Sequence, residues 1–228
     1  VVPTTDSVRN TYLLDLLLMK NNHILMVGET GTGKTVNIAQ YLSGASKSCG
    51  KPIGSHIMPY TMTFSAQTSA NMTQDMLDSR IDKRKRGVFG PPAGKKLAVY
   101  VDDLNMPKRE TYGAQPPIEI LRQWFDQAGW YDRAGMLDLR NIVDLLFIGS
   151  MGPPGGGRQD VTPRFLRHFN IIGYVEMSNQ SKATIFETIL QDFLKDFPSE
   201  IQSLRDPLTE TTIEVFDYVV ANLLPTPL

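Results

Sequence analysis

The chain has 228 residues, 41% of them hydrophobic, enough for one large α/β domain, alone or with a smaller partner, built around a sizeable core. Its net charge of −1 and pI near 6.3 give no bulk electrostatic basis for binding nucleic acid or a membrane surface. Cys49 is the single cysteine, which excludes an internal disulfide and fits a reducing compartment, with a free thiol in a loop as the expected role. No stretch reaches the length of a membrane span and no basic-then-apolar leader is present. The first residue is Val1 and the last six are Leu223-Leu224-Pro225-Thr226-Pro227-Leu228, so both ends read as cut from a longer chain.

In chain order, residues 1–5 are expected to be extended, because Pro3 disfavours helix before it, and Thr4, Thr5 or Asp6 offers an N-cap. Val8, Tyr12, Leu16 and Met19 mark the apolar face of a helix ending near Lys20. His23-Ile24-Leu25-Met26-Val27 then reads as a short buried strand. It runs into Gly28-Glu29-Thr30-Gly31-Thr32-Gly33-Lys34-Thr35 and a helix over residues 36–42, with Ile38, Ala39 and Leu42 on one face. Strand, glycine-rich turn and helix together make a P-loop, or Walker A motif. Glycines let successive backbone N–H groups converge on phosphate oxygens, and the helix N-terminus adds a favourable dipole. Lys34 reaches the β- and γ-phosphates, and the Thr35 hydroxyl ligates Mg²⁺. The stretch is a nucleoside-triphosphate site.

Residues 43–55 are loop-like, and residues 56–64 are a second strand candidate weakened by Pro59. Residues 65–86 read as a helix with Met72, Met76 and Ile81 as buried, core-packing positions. The basic segment from Lys83 to Lys96, broken by turn residues, reads as a solvated helix end and a protruding loop rather than a nucleic-acid contact. Leu97-Ala98-Val99-Tyr100-Val101 is a buried strand that delivers Asp102 and Asp103 at its C-terminal end. An apolar strand ending in acids, downstream of a P-loop, is the Walker B arrangement. The first carboxylate holds the Mg²⁺ shell and the second orients or deprotonates the attacking water. Asn105 is read as capping a turn.

Pro116-Pro117 opens a helix through Ile118, Leu121, Trp124 and Phe125. A fourth strand spans residues 142–148, followed by a flexible glycine-rich loop to Arg158 at the same sheet edge. A short helix over residues 161–168 carries Arg164 and Arg167, and residues 170–175 form a fifth strand. From Ser178 the pattern is helical. Ile185, Ile189 and Phe193 lie in one helix, and Ile213, Phe216, Val219, Val220 and Leu223 in another, with Pro198 and Pro207 between them. Strand and helix alternate up to about residue 176 and helices alone follow.

Val101-Asp102-Asp103-Leu104-Asn105-Met106-Pro107 and Tyr112-Gly113-Ala114-Gln115-Pro116-Pro117-Ile118-Glu119 resemble the motor ring of dynein heavy chains, in particular the axonemal branch. Met151-Gly152-Pro153-Pro154-Gly155-Gly156-Gly157-Arg158 and Thr162-Pro163-Arg164-Phe165-Leu166-Arg167-His168-Phe169 point the same way. The resemblance covers essentially the whole chain, and the third of the ring's AAA+ modules is the best match. It implies a P-loop AAA+ α/β domain with a five-stranded parallel sheet flanked by helices over residues 1–176. The start of a small all-helical subdomain follows over 177–228.

The resemblance also assigns a site. Val2, Pro3 and Thr4 lie against the adenine. Gly28, Glu29, Thr30, Gly31, Thr32, Gly33, Lys34, Thr35 and Val36 hold ATP or ADP, and Thr35 and Asp102 hold Mg²⁺. Lys34 and Asp103 serve catalysis, and Arg164, with Arg167 second, is the finger toward the neighbouring module's nucleotide. Implied partners are the neighbouring AAA+ modules, other dynein chains and, indirectly, the microtubule, in the cytoskeleton of a cilium or flagellum axoneme and in the cytoplasm. No nucleic acid and no membrane are implied.

The chain departs from the wider AAA+ pattern. Asp103 stands where many AAA+ ATPases have Glu, and its shorter side chain positions water more loosely. The loop after the fourth strand offers Ser150 and Gly152 in place of an Asn that senses the γ-phosphate. Arg205 is not in the context of a second sensor arginine. The expected activity is therefore Mg-ATP binding with weak or regulated hydrolysis that gates the motor cycle. The alternative is a module that holds nucleotide and never cycles. A nucleic-acid remodelling ATPase would need the segment from Lys83 to Arg86 to line a channel, and a transport GTPase would need an absent Asn-Lys-x-Asp run. His23, His56, His168 and Cys49 are not at metal-ligand spacing.

Overall fold

A computed structural model of the chain describes residues 2–44, 56–133, 135 and 137–223. Cys49, assigned above to a loop, lies outside them. Helix α1 (Thr5–Met19) begins at the expected N-cap, Thr4, in a reciprocal capping box. The Ser7 amide donates to Thr4 Oγ1 at 3.2 Å and the Thr4 amide to Ser7 Oγ at 2.8 Å. Strand β1 (Ile24–Gly28), helix α2 (Lys34–Leu42) and strand β2 (Ile57–Thr63) follow, then helix α3 (Ala70–Asp78) and the short strands β3 (Asp82–Lys85) and β4 (Val88–Gly90). Next come β5 (Lys96–Asp102), α4 (Pro116–Gln127), β6 (Gly129–Tyr131), β7 (Leu139–Ile142) and β8 (Leu145–Met151). The chain continues through α5 (Pro163–Leu166), β9 (Asn170–Tyr174), α6 (Asn179–Leu194), α7 (Ser199–Gln202) and α8 (Arg205–Asn222). Among the described residues no helix is long and apolar enough to cross a membrane.

The five expected strands form one parallel sheet in the order β2-β5-β8-β1-β9. Helices cover both faces, so the central strands are apolar throughout rather than alternating. One face packs Leu25, Val99, Val101 and Phe147 against Leu77 of α3 and Ile118 and Leu121 of α4. The other packs Met26, Ala98, Ile148 and Ile172 against Leu14 and Leu18 of α1 and Ile38 of α2. Pro59 is accommodated because β2 is an edge strand.

Several expectations are corrected. The buried positions of α1 are Thr11, Leu14 and Leu18, while Val8, Tyr12, Leu16 and Met19 are exposed, so the apolar stripe read from the sequence points outward. In α2, Ile38 and Leu42 are buried but Ala39 is exposed, with Asn37 and Tyr41 completing the inner face. The continuous helix over residues 65–86 is instead α3 alone. Ser69 caps it, accepting from the Met72 amide at 3.1 Å, and Met72 itself is exposed while Met76 and Ile81 are partly buried. The basic run beyond it is strand β3, which turns at Gly87 (φ 74°) and pairs antiparallel with β4.

The strand expected over residues 142–148 is two strands. Asp144 adopts φ 61° between β7 and β8, and its carboxylate takes the Arg84 guanidinium at 2.5 Å. Strands β3, β4, β7 and β6 make a second, four-stranded sheet that the sequence did not announce. Pro207 lies inside the first turn of α8 rather than between helices, where its missing N–H has no partner to lose. Of the apolar residues expected to pack in the helical segment, Ile189, Phe193, Phe216, Val219, Val220 and Leu223 are exposed. Among the described residues there, Leu194 and Thr209 are the buried ones.

Candidate functional site

The P-loop leaves the C-terminal end of β1, and the carboxylate-bearing end of β5 lies one strand beyond its neighbour β8. The open side of a parallel sheet at such strand ends is where ligands bind in doubly wound folds. At Gly28 a Cβ would lie 2.5 Å from the Tyr174 carbonyl oxygen, so β1 and β9 converge there only because the residue has no side chain. Gly31 and Gly33 both take φ 84°, in the left-handed region open to glycine at little strain. The loop is closed by Thr32 Oγ1, which donates to the Glu29 carbonyl at 2.9 Å.

Lys34, the first residue of α2, folds over this turn. Its Nζ donates to the carbonyls of Gly28 at 2.7 Å and Glu29 at 2.6 Å, and to Thr32 Oγ1 at 3.2 Å. Burial holds the ammonium below its ordinary pKa, and the charge of Arg158 adds to that, against the opposing pull of Asp102, Asp103 and Glu29. One residue on, Thr35 Oγ1 donates to both oxygens of Asp102 at 3.2 Å.

The sheet register explains that meeting. Met26 is level with Ser150 across β1 and β8, and Val101 with Gly149 across β5 and β8, so Asp102 comes level with Ser150. The Ser150 hydroxyl donates to Asp102 Oδ1, and Tyr100 shares a 3.0 Å hydrogen bond with Ser150. Burial pushes the Tyr100 phenol up, so it stays protonated. Asp103 adopts φ 52° and its amide donates to Asp102 Oδ1 at 3.2 Å.

A cavity of about 1020 Å³ opens over these groups. Thr30 to Val36, Asp102, Asp103 and Ser150 line one end. Its walls also include the apolar side chains of Val2, Leu13, Ile172 and Val175, and of Ile185 and Ile189 on α6. Val2 and Thr4 therefore lie on the wall, whereas Pro3, Gly28 and Glu29 do not.

Arg164 is exposed on α5, away from this cavity, with no hydrogen bond or ion pair to any described residue. Arg167 instead pairs with Asp126 at 2.8 Å, an intradomain ion pair. Two residues were undervalued from sequence. Asn105, read as a turn cap, is buried and donates from Nδ2 to the Gly152 carbonyl at 2.9 Å. Arg158, read as the end of a flexible loop, lines the cavity and donates to Thr30 Oγ1 at 3.2 Å. The available signal was three consecutive glycines before an arginine, after a strand ending at the same sheet edge. Together the groups present a backbone cradle, two cations, a hydroxyl–carboxylate pair and one further carboxylate to whatever enters, which is the chemistry of a polyphosphate with a divalent cation.

A family model described as a P-loop containing dynein motor region matches residues 1–177. Dynein axonemal heavy chain 1 of Homo sapiens is 47% identical over 239 aligned residues, and dynein axonemal heavy chain 12 of Rattus norvegicus is 45% identical over 229. Dynein axonemal heavy chain 6 of Homo sapiens is 40% identical over 227. Each comparison takes in 100% of this chain but only 5% or 7% of the relative, so the chain spans a small fraction of the proteins it matches.

Proposed function

Because the chain belongs to the family of P-loop-containing dynein motor regions, we propose that it is an Mg-ATP-binding AAA+ module of an axonemal dynein heavy chain, the third of the ring, hydrolysing ATP slowly to regulate the microtubule motor cycle. The observation that carries this reading is the convergence of Lys34, Thr35 and Asp102 at one end of a cavity roomy enough for a nucleotide. The residues fit the group. Lys34 now satisfies its ammonium on loop carbonyls, a set of bonds that a phosphate oxygen replaces without moving the helix. The Thr35–Asp102 pair is the two-oxygen half-site that Mg²⁺ asks of a P-loop protein, the rest coming from phosphate and water. Mg²⁺ held by Thr35 and Asp102 would offset the charge of the phosphates.

The apolar part of the lining suits the base, with Val2 and Thr4 on the cavity wall and Pro3 between them. Gly28 to Gly33 and Val36 shape the phosphate cradle, and Asp103, on the cavity wall, is the carboxylate assigned to the attacking water. On this reading the described residues up to 176 make the large α/β part and those from 177 to 223 a helical one. Two features support slow hydrolysis. Asp103 is short, and the Ser150 hydroxyl is spent on Asp102 rather than offered to the cavity. Arg164, exposed and outside the lining of this site, suits a finger for a neighbouring module's nucleotide, whereas Arg167 is held by Asp126. Neighbouring modules of the same heavy chain, other dynein chains and, indirectly, the microtubule of the axoneme are the partners. The same shortness of Asp103 favours, as a second reading, a module that retains nucleotide without turnover.

Equilibrium binding of Mg-ATP and Mg-ADP to the purified chain tests the first claim. Lys34→Ala should weaken both by roughly 10–100-fold, the worth of one charge-assisted hydrogen bond. Asp102→Asn should weaken binding mainly when Mg²⁺ is present. A wild-type chain that binds neither nucleotide at millimolar concentration would sink the reading. In the intact motor, Asp103→Asn should alter motility if the site cycles, and leave it unchanged if the second reading holds.

A further inference from the structure

The functional reading leaves Arg158, a cation at the cavity, without a task. Arg158 ends a loop built to aim it. Gly155, Gly156 and Gly157 take φ 121°, 58° and 83°, and Gly155 and Arg158 exchange backbone hydrogen bonds at 3.0 and 3.1 Å, so the chain doubles back tightly. At Gly152 a Cβ would lie 2.7 Å from Arg158 Cδ and Nε, so the arginine stem is seated against bare backbone. Asn105 ties both ends of the loop down. Its Nδ2 donates to the Gly152 carbonyl at 2.9 Å, and its own carbonyl accepts from the Gln159 amide at 2.9 Å. The loop that carries the guanidinium is thereby tied to the segment that carries Asp102 and Asp103, the latter two residues before this anchor.

Its charge is uncompensated. Arg158 makes no ion pair with any described residue, its one side-chain hydrogen bond to a described residue goes to the neutral hydroxyl of Thr30, and its Nε is buried with no partner. A buried donor without an acceptor is costly. The nearby ammonium of Lys34 is a like charge, and the two cations face the same cavity. An anion received between Lys34 and Arg158 accepts from the terminal N–H groups of the guanidinium and relieves the repulsion at once. In a P-loop site the anion that Lys34 and the loop tip would share is the end of the polyphosphate chain.

We propose that Arg158 binds the terminal phosphate of the bound nucleoside triphosphate from within the same chain and is the residue by which this site distinguishes triphosphate from diphosphate. The inference rests on the reading of the cavity as a nucleotide site. The test is equilibrium binding of Mg-ADP and of the Mg complex of a non-hydrolysable imido analogue of ATP to the wild type, Arg158→Gln and Arg158→Lys, with thermal unfolding as a check on folding.

Arg158→Gln should weaken the triphosphate analogue by about tenfold or more while ADP stays within about threefold, since a charge-assisted bond to one phosphate is lost and the rest of the cradle is untouched. Arg158→Lys should give a smaller, same-signed loss, because it keeps the charge and lacks the fork. If Arg158→Gln lowers the Tm by more than a few degrees, the Arg158→Lys ratio decides the matter. A ratio of the two affinities equal to that of the wild type in the folded variants, or an equal loss of both ligands, overturns the proposal while leaving the nucleotide site standing. A wild type that binds neither ligand overturns both.

Discussion

His23 stands at the end of β1 opposite the P-loop, where its Nδ1 accepts the Phe147 amide at 3.0 Å and its ring meets Phe125 and Trp124 edge-on. Burial, with a smaller push from the charge of His168, lowers its pKa to about 4. The folded chain therefore holds His23 neutral down to a pH at which the unfolded chain has already protonated it. Stability from this residue is complete above about pH 6.5 and is lost as the pH falls toward 4, by roughly 3 kcal/mol in all. Urea unfolding at pH 7.5 and 4.5 checks this, with His23→Phe expected to be less stable at pH 7.5 but to lose less on acidification. An equal loss in both proteins would remove His23 as the cause. At this scale the sequence was most informative where a residue's task is set by its immediate neighbours, as for Lys34 and Thr35. It was least informative for Arg158, whose partner Thr30 is 128 residues away, and for the Ser150–Asp102 bond, which spans 48.

Among elements, the second sheet has the sharpest packing constraint. At Gly129, which opens β6, a Cβ would lie 1.9 Å from the Arg140 carbonyl oxygen of β7, a backbone atom that cannot step aside. Gly129→Ala should therefore destabilise the chain by about 1–3 kcal/mol or more, whereas Gly173→Ala in β9, whose Cβ would meet nothing within 4 Å, should stay within about 0.5 kcal/mol. Chemical denaturation of the two variants makes the comparison, and similar midpoints would contradict it. This sheet escaped the sequence reading because β3 is a polar, basic strand without alternation, held by pairing with β4 and by the Arg84–Asp144 contact. For α1, 3.6-residue periodicity found a genuine apolar stripe and assigned it to the wrong side. The inner positions Leu14 and Leu18 share their face with Thr11, so the outer face is the more continuous of the two.

For the molecule as a whole, Arg164 marks the difference between a site and its assembly. It lies outside the cavity, so Arg164→Ala should leave Mg-ATP and Mg-ADP binding by this chain unchanged within about twofold. In an intact heavy chain it should slow hydrolysis at the adjoining module, by as much as the 10³–10⁵ that an arginine finger contributes. Loss of binding in the isolated chain would place the residue in this site instead; an unchanged rate in the heavy chain would deny it the finger role. Apolar residues on α6 and α8, including Phe193, Phe216 and Val220, are left largely exposed.

The sequence by itself determined the P-loop, the carboxylates at the end of β5 and the motifs that carry the family resemblance, because each is written in contiguous residues whose spacing is local, and the five-stranded parallel sheet followed from that resemblance. Only the tertiary structure decided which face of α1 is inside, that a second sheet exists, and that Ser150 and Arg158 reach Asp102 and Thr30. Those outcomes depend on strand order and register, which bring distant residues level with one another, and no window along the chain contains that information.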